Sequence, residues 1–297
     1  MRVADTTLTD TLAGQLNAQQ GTIANLDAQL SSGVALQKPS DNPIAVVDTI
    51  GYERQISQLG ATTSAASTAS SWLGIANQTA NSVLNNLQSV RTLVLQALNS
   101  GSQTAQSYSA IATQIQGQAQ SLLGLANTTY AGTAIFSGTA GGSSAYTSAG
   151  TYQGNTTPFT IDLGNGQKVA ASVPGTQLFG SSPSDVFTTL KQIVTDLGGA
   201  PGGTTETNLQ TDLNALNANI TQATSASASL GEAAQQVQTV QSSASATSTQ
   251  VQTILSNTRD VNVAQVTTQL QADLANYQAA LYASSQAVPE TLAAFLK

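Results

Sequence analysis

From Leu12 onward the apolar positions step by four and three: Leu12, Leu16, then Ile23, Leu26 and Leu30, with Gln19 in the slot between. That spacing is one face of a helix, and it repeats as a heptad seam in which a single polar residue fixes register at some loss of stability. The seam stops at Ser31-Ser32-Gly33, where glycine supplies the left-handed conformation that ends a helix. Val34 to Gln37 is expected to be extended. Lys38-Pro39-Ser40-Asp41-Asn42-Pro43 follows, with two prolines that lack an amide donor around cap and turn residues. Asn42 fits a helix cap and Pro43 a first helical residue. The stretch therefore predicts a helix, a shaped connector and a restart.

Ile44, Val47 and Ile50 resume a helix, which runs through an Ala/Ser/Thr-rich tract at 61–71. Leu73, Ala76, Ala80, Val83, Leu87, Val90, Val94 and Ala97 continue it in unbroken steps of three and four, and Asn99-Ser100-Gly101 ends it. Trp72 sits beside that seam as a packing residue. A further helix carries Tyr108, Ile111, Ile115, Gln118, Leu122 and Leu125, and the short turn before it predicts an antiparallel pair. Around Tyr130 the helical period disappears. Phe159, Ile161 and Leu163 alternate with polar residues, as do Val169, Ala171 and Val173, across the hairpin signal Gly164-Asn165-Gly166-Gln167. This predicts a small β-rich module inserted between helices.

Ser184-Asp185 opens a helix bearing Phe187, Leu190, Val194 and Leu197, and Gly198 to Gly203 closes it. The longest seam then runs through Leu209, Leu213, Leu216, Ile220, Ala223, Ser227, Leu230, Ala234, Val237, Gln241, Ala244, Ser248, Val251 and Leu255. Arg259-Asp260 interrupts it. A last amphipathic helix carries Val263, Val266, Leu270, Leu274, Tyr277, Leu281 and Val288, and the apolar stretch to Lys297 adds Leu292 and Phe295. The fold class expected is mainly α, a long antiparallel coiled coil or helical bundle with that β-rich module.

Composition sharpens this. Of 297 residues only 8% are Asp, Glu, Lys or Arg, against roughly 25% in ordinary soluble domains. Few charges keep such a surface apart from other copies of itself, which favours a chain covered by neighbours. The net charge of −7 comes from scattered single charges with no basic cluster, so neither nucleic acid nor an anionic membrane is an expected partner. Absent cysteine removes disulfides and thiolate chemistry; absent histidine removes the commonest general base and metal ligand. The first residues lack the apolar core of a signal peptide, and no run approaches the roughly 20 apolar residues of a membrane helix.

Catalytic patterns fare no better. Gly198 to Gly203 lacks the Lys-Ser/Thr of a phosphate loop and reads as a linker. No Gly-x-Ser-x-Gly elbow or Asp-x-Asp calcium spacing occurs. Asn77, Asn127, Asn155 and Asn219 begin glycosylation sequons that chance explains in so Asn- and Thr-rich a chain. No enzyme, cofactor or metal site is expected.

Several motifs in order carry a resemblance. Leu30, Ser31, Ser32 and Gly33 lead to Ser40 and Asp41, in the form Lys38-Pro39-Ser40-Asp41-Asn42-Pro43. Arg91-Thr92-Leu93 precedes a turn; Asn127 to Thr139 contains Phe136-Ser137-Gly138, and Tyr152-Gln153-Gly154-Asn155 follows. The chain resembles the flagellin family of bacterial axial proteins, in the form carried by hook-associated junction proteins. Asn155 departs from the acidic residue of that form. The likeness covers roughly 1–145 and 205–297.

The resemblance implies that the N- and C-terminal helices pair and assemble with other copies into a ring. Residues 1–40 and 260–297 would form the inner assembly core, 41–132 and 183–259 a long helical bundle, and 133–182 an outward module. Assembly contacts fall on Leu12, Leu16, Ile23, Leu26, Leu30, Leu270, Leu274, Tyr277, Leu281, Val288, Leu292 and Phe295. Ser31, Ser32, Gly33, Lys38, Pro39, Ser40, Asp41 and Pro43 form the connector. Implied partners are another hook-associated junction protein, flagellin, and an export chaperone on the C-terminal helix. Implied location is the extracellular flagellum, reached by type III export without a cleaved signal. Two other readings stay open: a flagellin that forms the filament itself, and a chemoreceptor-like helical signalling protein.

Overall fold

The computed structural model describes residues 2–99, 104–164 and 166–287. The chain divides into two units, residues 1–57 with 247–297 and residues 58–246, whose boundaries fall inside two long helices.

The first unit contains α1 (Arg2–Ser32), the start of α2 (Pro43–Leu98), the end of α6 (Gly203–Arg259) and α7 (Val263–Ala287). α1 and α7 pair antiparallel. Gln19 Nε2 donates to the Asp273 carbonyl at 3.4 Å. At the end of the pair Val34 bridges Asp260, the Val261 amide donates to the Gly33 carbonyl at 3.0 Å, and the Ala35 amide donates to the Arg259 carbonyl at 2.8 Å. Leu12, Leu16, Gln19, Ile23, Leu26 and Leu30 are the half-buried line of α1, as its heptad spacing predicts.

The second unit holds the rest of α2, α3 (Ala105–Ala126), a module of short elements, α5 (Val186–Leu197) and most of α6. Asn86 Nδ2 donates to the Gln118 carbonyl and Tyr108 Oη to that of Ala97, so α2 and α3 run antiparallel. Asn77 reaches the Leu230 carbonyl and Arg91 Nε donates to Asn217 Oδ1 at 2.9 Å, which sets α6 antiparallel to α2. Thr104 and Ser107 close a reciprocal cap at the start of α3, each satisfying an amide that the helix leaves unpaired. Asp185 caps α5 through the Thr188 amide at 2.9 Å.

The module carries less strand than the alternation suggests. β1 (Thr129–Tyr130) pairs with β2 (Thr133–Ala134), and β3 (Thr160–Asp162) with β4 (Lys168–Ala170), both antiparallel. The β3–β4 hairpin turns between Leu163 and Gln167, where Gly164 and Gly166 both take positive φ. A short α4 (Gly175–Phe179), with no sequence signal, follows Pro174. Rings hold the rest: Phe136, Phe179, Tyr146 and Phe187 pack with centroids 5.1–5.8 Å apart. Trp72 of α2 stacks on Phe159 at 4.7 Å and meets Tyr130 edge-on at 5.2 Å, fixing the module to the helices.

Two seams differ from the leucine pattern. In α6 the buried line passes through Asp212 and Asn219, leaving Leu213 and Ile220 half-buried beside it. In α7 the half-buried line is Val266, Leu270, Asp273, Tyr277, Ala280 and Ser284, so Leu274 and Leu281 lie off it. The physical reason is partnership. Asn219 donates to Thr189 at 3.0 Å, Asp212 faces Asp196, and the backbone at Asp273 receives Gln19. Partners let polar residues sit in a seam, although Asp212 Oδ2 stays without a hydrogen bond there.

Candidate assembly surface

The connector is built by its own polar side chains. Gly33, at φ 71°, donates to the Gln29 carbonyl at 2.9 Å and turns the chain out of α1. Gln37 Nε2 donates to Ser32 Oγ and to the Val34 carbonyl. Asp41 Oδ2 accepts from the amides of Gln37 at 3.1 Å and Lys38 at 2.8 Å, which closes the turn around Pro39 and Ser40. Asn42 Oδ1 then accepts from the Ala45 amide at 3.1 Å, and Pro43 is the first residue of α2. Lys38, Pro39, Ser40, Asp41 and Pro43 are all exposed, as are Ser31 and Ser32.

Arg259 locks the other side. Its guanidinium meets Glu53 at 3.5 Å and Asp260 at 3.1 Å. Hydrogen bonds from Ser256 and then Arg259 hold the Asp260 carboxyl below the usual carboxylate range. Between connector and α2 lies a recess of about 200 Å³ walled by Val34, Leu36, Pro39, Val46 and Ile50, with Lys38 and Arg259 at its edge.

Exposure of large apolar side chains is confined to this unit. Among the described residues the exposed ones are Ile44 (75%), Val47, Ile50, Ile254, Val263, Leu274 (40%), Leu281 (42%) and Tyr282 (69%). Every one falls within 1–57 or 247–297, and none within 58–246. Five of them form two rows: Ile44, Val47 and Ile50 at three-residue steps on α2, and Leu274 and Leu281 seven apart on α7. Two turns of helix cover about seven residues, so each row keeps to one side of its helix.

The residues singled out in sequence therefore separate. Leu12, Leu16, Ile23, Leu26, Leu30, Leu270 and Tyr277 are half-buried in the α1–α7 pair, whereas Leu274 and Leu281 face outward. Val288, Leu292 and Phe295 lie outside the described residues. The exposed Val263 belongs to the sequence-predicted helix face but not to its half-buried line. Tyr282, adjacent to Leu281, escaped the periodic reading because it sits one step off the seam.

The chain is similar to several solved proteins. Residues 6–141 match the family profile of the bacterial flagellin N-terminal helical region. No curated protein matches the sequence. A Vibrio parahaemolyticus protein described as flagellar hook-associated is 19% identical, with a TM-score of 0.68 over 74% of this chain and 100% of its own. FlgL of Bacillus cereus is 21% identical, with a TM-score of 0.60 over 69% of this chain and 99% of its own. The flagellar junction protein FlgL of Legionella pneumophila is 15% identical, with a TM-score of 0.57 over 73% and 100%. The chain thus shares the fold of these flagellar hook-associated and junction proteins, and its residues 6–141 match the bacterial flagellin N-terminal helical region.

Proposed function

We propose that this protein is a structural subunit of the bacterial flagellum, an adaptor at the junction between hook and filament. The observation that carries the reading is the segregation of exposed apolar side chains: two uncovered rows in the unit made by both ends of the chain, and none among the described residues of 58–246. Burying a large apolar side chain contributes ~1.5–3 kcal/mol, so uncovered rows of this kind favour neighbours. A surface with only 8% charged residues offers little repulsion against them.

In this reading residues 1–40 and 260–297 form the assembly core of a ring, 41–132 and 183–259 a long helical bundle, and 133–182 the outward module. One side of the ring meets another hook-associated junction protein and the other meets flagellin. The subunit leaves the cell by the flagellar type III route, and its α7 face is held by an export chaperone beforehand. The Leu274 and Leu281 row supports that last assignment, being apolar and exposed in the single chain.

Deletion of the gene in its flagellated host is the test. The adaptor reading expects hooks that persist while flagellin is shed unattached into the medium. Normal attached filaments would refute it. Growth of long filaments from the purified protein alone would instead identify a flagellin.

A further inference from the structure

Two cavities open side by side in the unit of residues 58–246. One, of about 340 Å³, is walled by Tyr146 and Tyr152 with Thr176, Asp185 and Thr188. The other, of about 350 Å³, lies along α3 and α5 against Gln116, Gln120, Leu123, Leu190 and Val194. They share Ala149, Gly150, Phe187 and Lys191, which form a saddle between two lobes of one groove.

We propose that this groove binds an acidic saccharide, a carboxylated pyranose or a short chain of them, with its carboxylate at Lys191. The walls suit a sugar. Tyr152 and Phe187 are half-buried and line the groove, giving apolar ring surface for the C–H face of a pyranose, with the buried Tyr146 packed 5.1 Å from each behind them. Gly150, at φ 84°, lets its loop close onto Phe187; a Cβ there would run into that side chain, so saddle and ring are held together.

Polar capacity lies unused around those rings. Among the described residues, the side chains of Gln116, Gln120, Ser148, Thr176, Ser181 and Ser182 line the groove without a hydrogen-bond partner. Tyr146 Oη is unpartnered too, but it is buried behind the wall of the groove. Asp185 accepts from the Thr188 amide and hydroxyl, one bond per oxygen, and keeps lone pairs for sugar hydroxyls.

Charge places the carboxylate. Lys191 is the only charged residue lining the lobe on α3 and α5, and among the described residues it makes no ion pair. Asp185 would repel an anion from the other lobe, so the anion sits at the saddle and neutral hydroxyls beyond it. A peptide fits less well, since no residue of β1 to β4 lines either lobe and no strand edge is offered for backbone pairing.

The test titrates the full chain with D-glucuronate, and with D-glucose as the neutral control, by saturation-transfer NMR. Glucuronate is expected to bind. Lys191→Gln, which keeps a hydrogen-bonding tip and loses the charge, should weaken it about tenfold, a charge-assisted contact of ~1.4 kcal/mol. Lys191→Arg should restore most of that loss, and glucose should not distinguish the three proteins. Circular dichroism checks that each variant is folded. Absent glucuronate binding, or equal affinity in Lys191→Gln, would overturn the proposal; so would glucose binding as tightly as glucuronate. The outcome is independent of the junction role, because it reads binding to the isolated chain.

Discussion

Asp212 is a carboxyl placed where a leucine would be expected, and replacing it by Asn should stabilise the protein at alkaline pH. Its residue is 7% exposed, and Oδ2 is buried without a hydrogen-bond partner. Burial first, then a hydrogen bond to Asp196 and the Asp196 charge, push its pKa up to about 7. Asp196 is itself engaged by Gln192 at 3.0 Å and Asn208 at 3.3 Å, so it stays the acceptor of the pair.

The sign follows from linkage. In the unfolded chain an Asp titrates near ~3.9, so between about pH 4 and 7 the folded state holds a proton that the unfolded state has released. The stability tied to that proton is fully present below about pH 4 and is lost as pH rises through about 7. Three units at ~1.36 kcal/mol each set a ceiling of ~4 kcal/mol, and solvent relaxation around the site reduces it to about 2. Asn donates to Asp196 at every pH as the protonated acid does. Asp212→Asn should therefore gain about 2 kcal/mol at pH 8, a rise in Tm of roughly 4–8 °C for a unit of this size, and little at pH 5. Trp72, the only tryptophan, is stacked on Phe159 in the same unit, so its fluorescence reports denaturation directly. An Asn variant no more stable than the parent at pH 8, or equally stabilised at both pH values, would refute the reasoning.

Other outcomes follow from the same contacts. Gly138→Ala should destabilise the module by about 2–4 kcal/mol, because Gly138 has φ 66° and a Cβ would meet Asn155 and the Thr157 carbonyl; chemical denaturation measures it. Asp41→Ala removes both amide acceptors of the connector and should raise hydrogen exchange at 37–41 while leaving the melting of residues 58–246 unchanged. Replacing Pro39 and Pro43 together with Ala frees two φ angles, and the subunit should be exported yet join hook to filament poorly under mechanical load. Leu281→Asp should leave folding within about 1 kcal/mol, since the side chain is 42% exposed, and abolish incorporation into the junction; wild-type incorporation would remove the α7 row from the interface.

The elements with local signals were legible. Gly33, Asn42 and Pro43 act within a few residues of themselves, and the helix ends they mark lie where the sequence places them. The cap at Asp185 and the hairpin at Gly164–Gly166 are local in the same sense. Longer-range packing was not legible. Nothing near Pro174 signals α4, and the cluster of Phe136, Tyr146, Phe179 and Phe187 joins residues far apart in sequence. The groove at Lys191 is assembled from α3, α5 and the loop between them, so no single stretch carries its pattern.

The seams show why leucine alone misleads. A periodic reading selects the leucine nearest each heptad slot, yet in four places the chain puts a polar or small residue in the slot and the large apolar residue beside it: Asp212 and Leu213, Asn219 and Ile220, Asp273 and Leu274, Ala280 and Leu281. Within residues 58–246 the displaced Leu213 and Ile220 are half-buried against the same core. On α7 the same displacement leaves Leu274 and Leu281 at 40% and 42% exposure. A polar seam residue lowers stability and narrows register, and the flanking leucine is then free to serve a second contact. The shared design has opposite exposure: residues 58–246 cover their flanking positions themselves, and the unit formed by the two ends leaves Leu274 and Leu281 uncovered.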